Sequence, residues 1–185
     1  MKKFFIGSIV GGIILFIWQA VSWTALPLHK TAYNYTDKQD TIINFLSTQF
    51  SENGQYMIPT AKPGTESSEQ MNSMKGKPWA VISYHKEYSA SMTGNMIRGL
   101  LVDILAVMLF IRLLAKTGHP SFANIFMSSI TLGLICFLFF SYTPHIWFET
   151  PMIAVSSDLL DAIVGWGLCG LWLGWWLGRD TAPRT

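Results

Sequence analysis

Four apolar runs, at residues 4–26, 96–114, 122–142 and 159–177, constrain this chain more than any other feature of it. Each approaches the roughly 20 residues a helix needs to cross about 30 Å of hydrocarbon. No water is available there for exposed backbone groups, so helices and closed barrels are the only spanning structures. The expected fold class is an all-α membrane protein with four transmembrane helices and a small α+β extracytoplasmic domain inserted between helices 1 and 2. The balance of residue types agrees: half of the chain is hydrophobic and 13% is charged, against roughly 25% charged in soluble proteins.

The first run resembles a signal peptide, with Lys2 and Lys3 as a basic start and Ala20-Val21-Ser22 as a small-x-small site. Its apolar stretch is longer than the 7–15 residues usual for such peptides, and Trp18 and Trp23 bracket its far end as interfacial anchors do. It is therefore read as a retained helix. The chain divides into transmembrane helix 1 (1–26), an extracytoplasmic domain (27–95), and a three-helix region with a short cytoplasmic tail (96–185).

Lys2 and Lys3 before the first span, Arg112, Lys116 and His119 between the second and third, and Arg179 and Arg184 after the fourth all belong inside by the bias of basic residues toward the cytoplasm. Both termini are then cytoplasmic, in a bacterial inner membrane. Loops 27–95 and 143–157 face outward. The tight turn Thr117-Gly118-His119-Pro120 predicts that spans two and three pack as an antiparallel hairpin.

In the long loop, Ile42, Ile43, Phe45, Leu46 and Phe50 recur at helical spacing over 41–50, with Asp40 as the expected N-cap. Residues 55–59 and 79–85 read as strands; in the second, Trp79, Val81, Ser83 and His85 alternate with Ala80, Ile82 and Tyr84. Between them, 62–77 is rich in Gly, Ser, Pro, Lys and Glu and reads as an exposed loop. An element this small is expected to pack on the membrane surface or on the bundle, since a lone two-stranded ribbon is marginal in water.

The fourth span is the most informative helix. Gly167, Gly170, Gly174 and Gly178 fall within about 80° of one another at 100° per residue, forming a seam for close helix approach, within the bundle or in a homodimer. Gly7, Gly11, Ser8 and Gly12 form a weaker seam in the first span, so the two spans are expected to pack together. The other face of the fourth span carries Asp158, Asp161, Gly165, Cys169, Trp172 and Trp176. Asp158 reads as an N-cap, and Asp161 lies one turn deeper.

Asp103 sits roughly 10 Å below the outer end of the second span at a rise of 1.5 Å per residue, and should not face lipid. Arg98 occupies a different face of that helix, so its partner comes from elsewhere. The proposed orientation brings His29, Arg98, His145 and Glu149 to the same boundary, completing a candidate polar cluster with Asp103 and Asp161. The catalytic residues are unknown, and no ligand spacing for a metal and no cofactor motif is present. Cys136 and Cys169 lie inside spans, where thiols behave as small hydrophobes.

Gly11-Gly12-Ile13-Ile14-Leu15-Phe16-Ile17-Trp18, then Ser22-Trp23-Thr24-Ala25-Leu26-Pro27-Leu28-His29, Gly54-Gln55-Tyr56-Met57-Ile58-Pro59 and Asp161-Ala162-Ile163-Val164-Gly165-Trp166 carry a resemblance over most of the chain. It resembles a group of small uncharacterised bacterial four-helix integral membrane proteins with an outer domain between helices one and two, although Leu28 stands where an aromatic residue is expected. The resemblance implies the same layout and no mechanism.

The scattered Lys and Arg of a chain with net charge +2 do not suit nucleic acid. The partners expected are the lipid bilayer and other membrane-protein subunits or a second copy. The leading expectation is a non-enzymatic accessory or scaffolding subunit. The alternative is a membrane-embedded enzyme or sensor acting on a lipid-linked or periplasmic ligand at the outer interface, and transport comes third.

Overall fold

The computed structural model describes residues 1–60, 64, 68, 72, 74–118 and 120–178. It falls into two compact units, Met1–Asn34 with Ser91–Thr185, and Tyr35–Ala90. His119, Arg179, Arg184 and most of the 62–77 segment lie outside the described residues.

The first unit is a helical bundle. Its helix α1 spans Lys2–Thr24 and is followed by a 3-10 segment at Pro27–Ala32. The second unit contains α2, Gln39–Gln49, and the strands β1, Gly54–Ile58, and β2, Ala80–Tyr84. The bundle resumes with α3, Met92–Leu114, and α4, Phe122–Phe137. A π-helical turn at Leu138–Tyr142 leads into α5, Thr143–Phe148, and then comes α6, Met152–Gly178. Among the described residues three helices are long and apolar enough to cross a membrane: α1, the continuous Phe122–Phe148 helix, and α6. This is a membrane protein by that measure, and its exposed apolar side chains, among them Ile9, Ile13, Ile17, Phe139 and Phe140, fit a lipid solvent.

Local chemistry places the helix ends. Ser91 accepts from the Gly94 amide at 3.2 Å and Ser121 from the Asn124 amide at 3.3 Å, each taking up an orphan donor of the first turn. Gly118 ends the α3 side of the connection at φ +88°, a conformation side chains disfavour. Pro144 lacks an N–H and its ring would clash with the preceding turn. The π turn just before it opens the helix, and the Thr143 amide reaches back to the Leu138 carbonyl.

Helical structure extends further than the apolar runs. Only Glu149, Thr150 and Pro151 of the expected 143–157 loop lie outside helices. Because α6 begins at Met152, Asp158 sits in its second turn and is not an N-cap. Pro151, whose carbonyl accepts from Ala154 at 3.0 Å, is the start signal that a reading centred on polar residues passes over. Asp40 likewise lies in the first turn of α2, one residue inside, where its charge suits the helix dipole, and Lys38 holds the N-cap position.

The bundle's helices pack in the order α3, α1, α6, α4. Its core is Leu15, Val107, Phe110, Ile111, Leu114, Ile125, Cys169 and Leu173. Spans two and three, expected as a hairpin, barely touch: α3 lies on α1 and α4 lies on α6. A groove of about 420 Å³ separates α3 from α4 instead.

Glycines set these distances. A Cβ on Gly12 would lie 2.6 Å from the Ile104 Cα, and one on Gly11 would lie 2.8 Å from Val107. The seam of α6 is filled from within the chain by α4: an added Cβ would lie 2.7 Å from Ser129 at Gly170, 2.7 Å from Phe122 at Gly174 and 3.3 Å from Ile130 at Gly167. The first and fourth spans do pack together, but through the other face of α6, where Gly165 meets Trp18 and Cys169 meets Gly11.

In the second unit the two strands pair antiparallel, from Gly54 opposite Tyr84 to Ile58 opposite Ala80. Phe50 stacks on Tyr56 at 3.9 Å and meets Tyr84 edge-on at 5.3 Å, giving the ribbon a small aromatic core. The Lys86 amide donates to the Asn53 side chain at 2.8 Å across the open end. Ile42, Ile43 and Phe45 of α2 are exposed.

Candidate functional site

Trp18, Gln19 and Ser22 follow one another on one face of α1, at spacings of one, three and four residues, near the end where α1 stops. The chain then turns through Pro27–Ala32, which returns His29 over the helix end. Ser157 on α6 fixes this segment by donating to the Leu28 carbonyl at 2.7 Å. His29 stacks on Trp23 at 4.0 Å with the rings nearly parallel, 3° apart, and is buried. The stacking partner of Trp23 at this end is thus His29.

Asp161 is the hub. Its Oδ1 accepts from Ser22 Oγ at 2.6 Å and from Trp18 Nε1 at 3.1 Å, while its Oδ2 lies 2.9 Å from His29 Nε2. Ser22 Oγ is also 3.1 Å from that same His29 nitrogen. One proton arrangement serves all of them: the serine hydroxyl and the imidazole Nε2–H both donate to the carboxylate. Asp161 therefore ties α6 to α1 and to the 3-10 segment with three hydrogen bonds. At about 0.6 kcal/mol for an average interhelix hydrogen bond in a membrane protein, they total about 2 kcal/mol.

A serine, a histidine and an aspartate in contact invite comparison with a hydrolase relay. In such a relay the base meets the serine through one ring nitrogen and the acid through the other. Here both contacts fall on Nε2, and the serine proton is already given to the acid.

Asp103 of α3 is buried, and its Oδ1 accepts from Gln19 Nε2 at 3.0 Å. Its Oδ2 is buried without a hydrogen-bond partner; among the described residues Trp172 Nε1 is the other such buried atom. A buried polar atom left unpaired costs about 1–3 kcal/mol. Asp103 and Asp161 both line a cavity of about 180 Å³ between α1, α3 and α6, whose walls include Trp18, Gln19, Ala106 and Trp166.

Of the polar cluster expected at this boundary, the structure brings Asp161 and His29 into contact and places Asp103 on the same cavity. It leaves out the other three. Arg98 is exposed on α3, Glu149 is exposed at the left-handed turn that ends α5 (φ 51°), and His145 Nδ1 is paired with the Thr150 carbonyl at 2.6 Å. Ser22, Gln19 and Trp18 are the residues that sequence reasoning missed, having taken Ser22 for a cleavage-site feature and Trp18 for an anchor. Two polar side chains three residues apart in an apolar helix, Gln19 and Ser22, are the signal that points to them. No group of three or more His, Cys, Asp or Glu able to hold a metal ion occurs among the described residues. Cys169 is buried in the core and Cys136 is half-buried, and both are free thiols.

No protein-family model matches the chain, and no curated protein or solved structure is significantly similar to it.

Proposed function

We propose that this chain is a four-span bacterial inner-membrane protein without chemistry of its own, an accessory or scaffolding subunit that holds a transmembrane helix of a partner between α3 and α4. In this reading both termini are cytoplasmic and the Tyr35–Ala90 unit is extracytoplasmic. A crossing by α3 is supported by its 23 residues, the same length as α1, and by the exposed apolar stripe Ile97, Leu101, Leu105, Leu109 and Leu113. The arrangement of Ser22, His29 and Asp161 favours helix pinning over acyl transfer.

The α3–α4 groove carries the proposal. Asn124, Ser128 and Thr131 recur along one side of α4 and line it, opposite Phe110 and Leu113 of α3. A ribbon of small and polar side chains on an otherwise apolar helix is what close helix–helix contact in lipid uses, and acyl chains offer such groups no hydrogen bond. A membrane-embedded sensor is the second reading, favoured by the cavity beneath Asp103.

The test is crosslinking in membranes at native expression, followed by purification in mild detergent. The expected result is a defined membrane-protein adduct that Ser128→Leu and Thr131→Leu abolish while the variants remain folded. Recovery of the wild type only as an uncrosslinked monomer would refute the subunit reading.

A further inference from the structure

Helix α2 carries an apolar side that the rest of its unit does not cover. At 100° per residue, Ile42, Ile43, Phe45 and Leu46 fall within about 160° of one another, and Asp40, Thr41, Asn44, Ser47 and Thr48 fill the remaining arc. Ile42 is 47%, Ile43 50% and Phe45 61% exposed, and Leu46 is half-buried. An open groove of about 520 Å³ parts α2 from the ribbon, with Ile43 and Leu46 on one side and Ile82 and Tyr84 on the other. Isolated helices shorter than about 12–15 residues are marginal in water, and α2 has 11. An apolar medium against this side supplies the burial that the ribbon does not.

We infer that α2 lies in the membrane interface, with Ile42, Ile43, Phe45 and Leu46 among the lipid acyl chains just below the headgroups. Continuity with the lipid-facing side of α1 selects lipid as the occupant. Ile17, Val21 and Trp23 keep that side exposed up to the last turn of α1. Six residues, 33–38, then join the 3-10 segment to α2, and at about 3.3–3.6 Å per residue they reach no more than about 20 Å. Tyr33 and Tyr35 in this link, and Tyr88 in the link to α3, are all more than three-quarters exposed. Tyrosine is enriched where a chain meets the headgroups. Composition narrows the kind of surface. Helix α2 contains no Lys or Arg, and its polar side is mostly hydroxyl and amide. Attraction to anionic headgroups therefore adds nothing, and buried apolar area sets the affinity. A neutral, zwitterionic surface suffices. The α3–α4 groove takes no part, so the inference stands or falls apart from the subunit reading.

The full-length protein in phosphatidylcholine nanodiscs, both faces of which are open to the buffer, provides the test. A polarity-sensitive fluorophore is attached to Ile42→Cys, on the apolar side, or to Asn44→Cys, on the opposite side, with Cys136 and Cys169 replaced. A nitroxide on the upper part of the acyl chain should quench the label at residue 42 about twofold or more over that at residue 44, and iodide in the buffer should show the reverse order. Phe45→Asp places a charge on the apolar side at an exposed position, so it should cut the lipid quenching at residue 42 by about half or more with the Tm unchanged. Replacing about a third of the lipid with anionic phosphatidylglycerol should leave the quenching as it is. A requirement for the anionic lipid would overturn insertion by apolar area. Equal access of iodide to both positions would show α2 in water. A label at residue 42 shielded from iodide yet unquenched by the lipid nitroxide would show protein covering it, from this chain or a second copy. Either of these two results would also overturn the inference.

Discussion

Replacing Gly12 with alanine tests how the first and third helices are held together. The added Cβ would lie 2.6 Å from the Cα and 2.7 Å from the amide nitrogen of Ile104. Carbon atoms prefer about 3.5–4.0 Å, so α1 and α3 must separate by about 1 Å. No side-chain rotation relieves the clash fully, because the Ile104 Cα and amide nitrogen are backbone. Overpacking of this kind costs about 1–3 kcal/mol, and the gain in helix propensity from glycine to alanine returns up to about 1 kcal/mol. Gly99→Ala isolates that gain. It lies in the facing helix, and its Cβ would meet only Phe16 Cε2 at an ordinary 3.7 Å. The two variants should therefore differ by about 1–3 kcal/mol, Gly12→Ala being the less stable and Gly99→Ala equal to or slightly above the wild type. Unfolding by dodecyl sulfate in detergent micelles, followed by far-ultraviolet circular dichroism, reads the difference. Equal stability of the two variants would refute the close backbone approach of α1 and α3.

Removal of the Asp161 hub by Asp161→Ala should destabilise the bundle by about 2 kcal/mol in the same assay, whereas Asp158→Ala, in the preceding turn, should stay within about 0.5 kcal/mol of wild type. A double-mutant cycle of Ser22→Ala with Asp161→Asn should give a coupling of about 0.6–1.7 kcal/mol; additive losses would deny the hydrogen bond. For the proposed orientation, Ser68, which is exposed, changed to cysteine in a cysteine-free background should react with an impermeant thiol reagent in intact cells once any outer membrane is permeabilised. Labelling only after lysis of the inner membrane would reverse the topology.

Run length alone located three helices able to span, since crossing hydrocarbon demands about 20 apolar residues whatever surrounds them. Helical periodicity found the α6 seam, and the cost of a charge in hydrocarbon pointed to the burial of Asp103. It did not find partners, because an angle on a helix names a face and not what faces it: the seam belongs to α4, and Gly165 and Cys169 belong to α1. The expected α3–α4 hairpin failed for a related reason. A short connection brings two helix ends together, but the glycines that permit close approach lie in α1, α4 and α6 and draw α3 and α4 to different neighbours. Arg98, His145 and Glu149, expected at the depth of Asp161, do not share its site, since depth fixes one coordinate of three. The strands and α2 were legible to within a few residues because their alternation and periodicity are local properties.

The packing order of the bundle has a consequence for how the chain is made. Ribosomal synthesis delivers α1 before its partners, which are α3, encoded beyond the whole Tyr35–Ala90 unit, and α6, the last of these helices to emerge. Until then Trp18 and Ser22 have no Asp161 to meet, and α4 waits for the same helix from the other side. Insertion of α6 thus closes the bundle, joining two half-assembled pieces that barely touch each other. A nascent chain arrested before Met152 should be membrane-integrated yet open to intramembrane proteolysis, and release of the last helix should confer resistance in a single step.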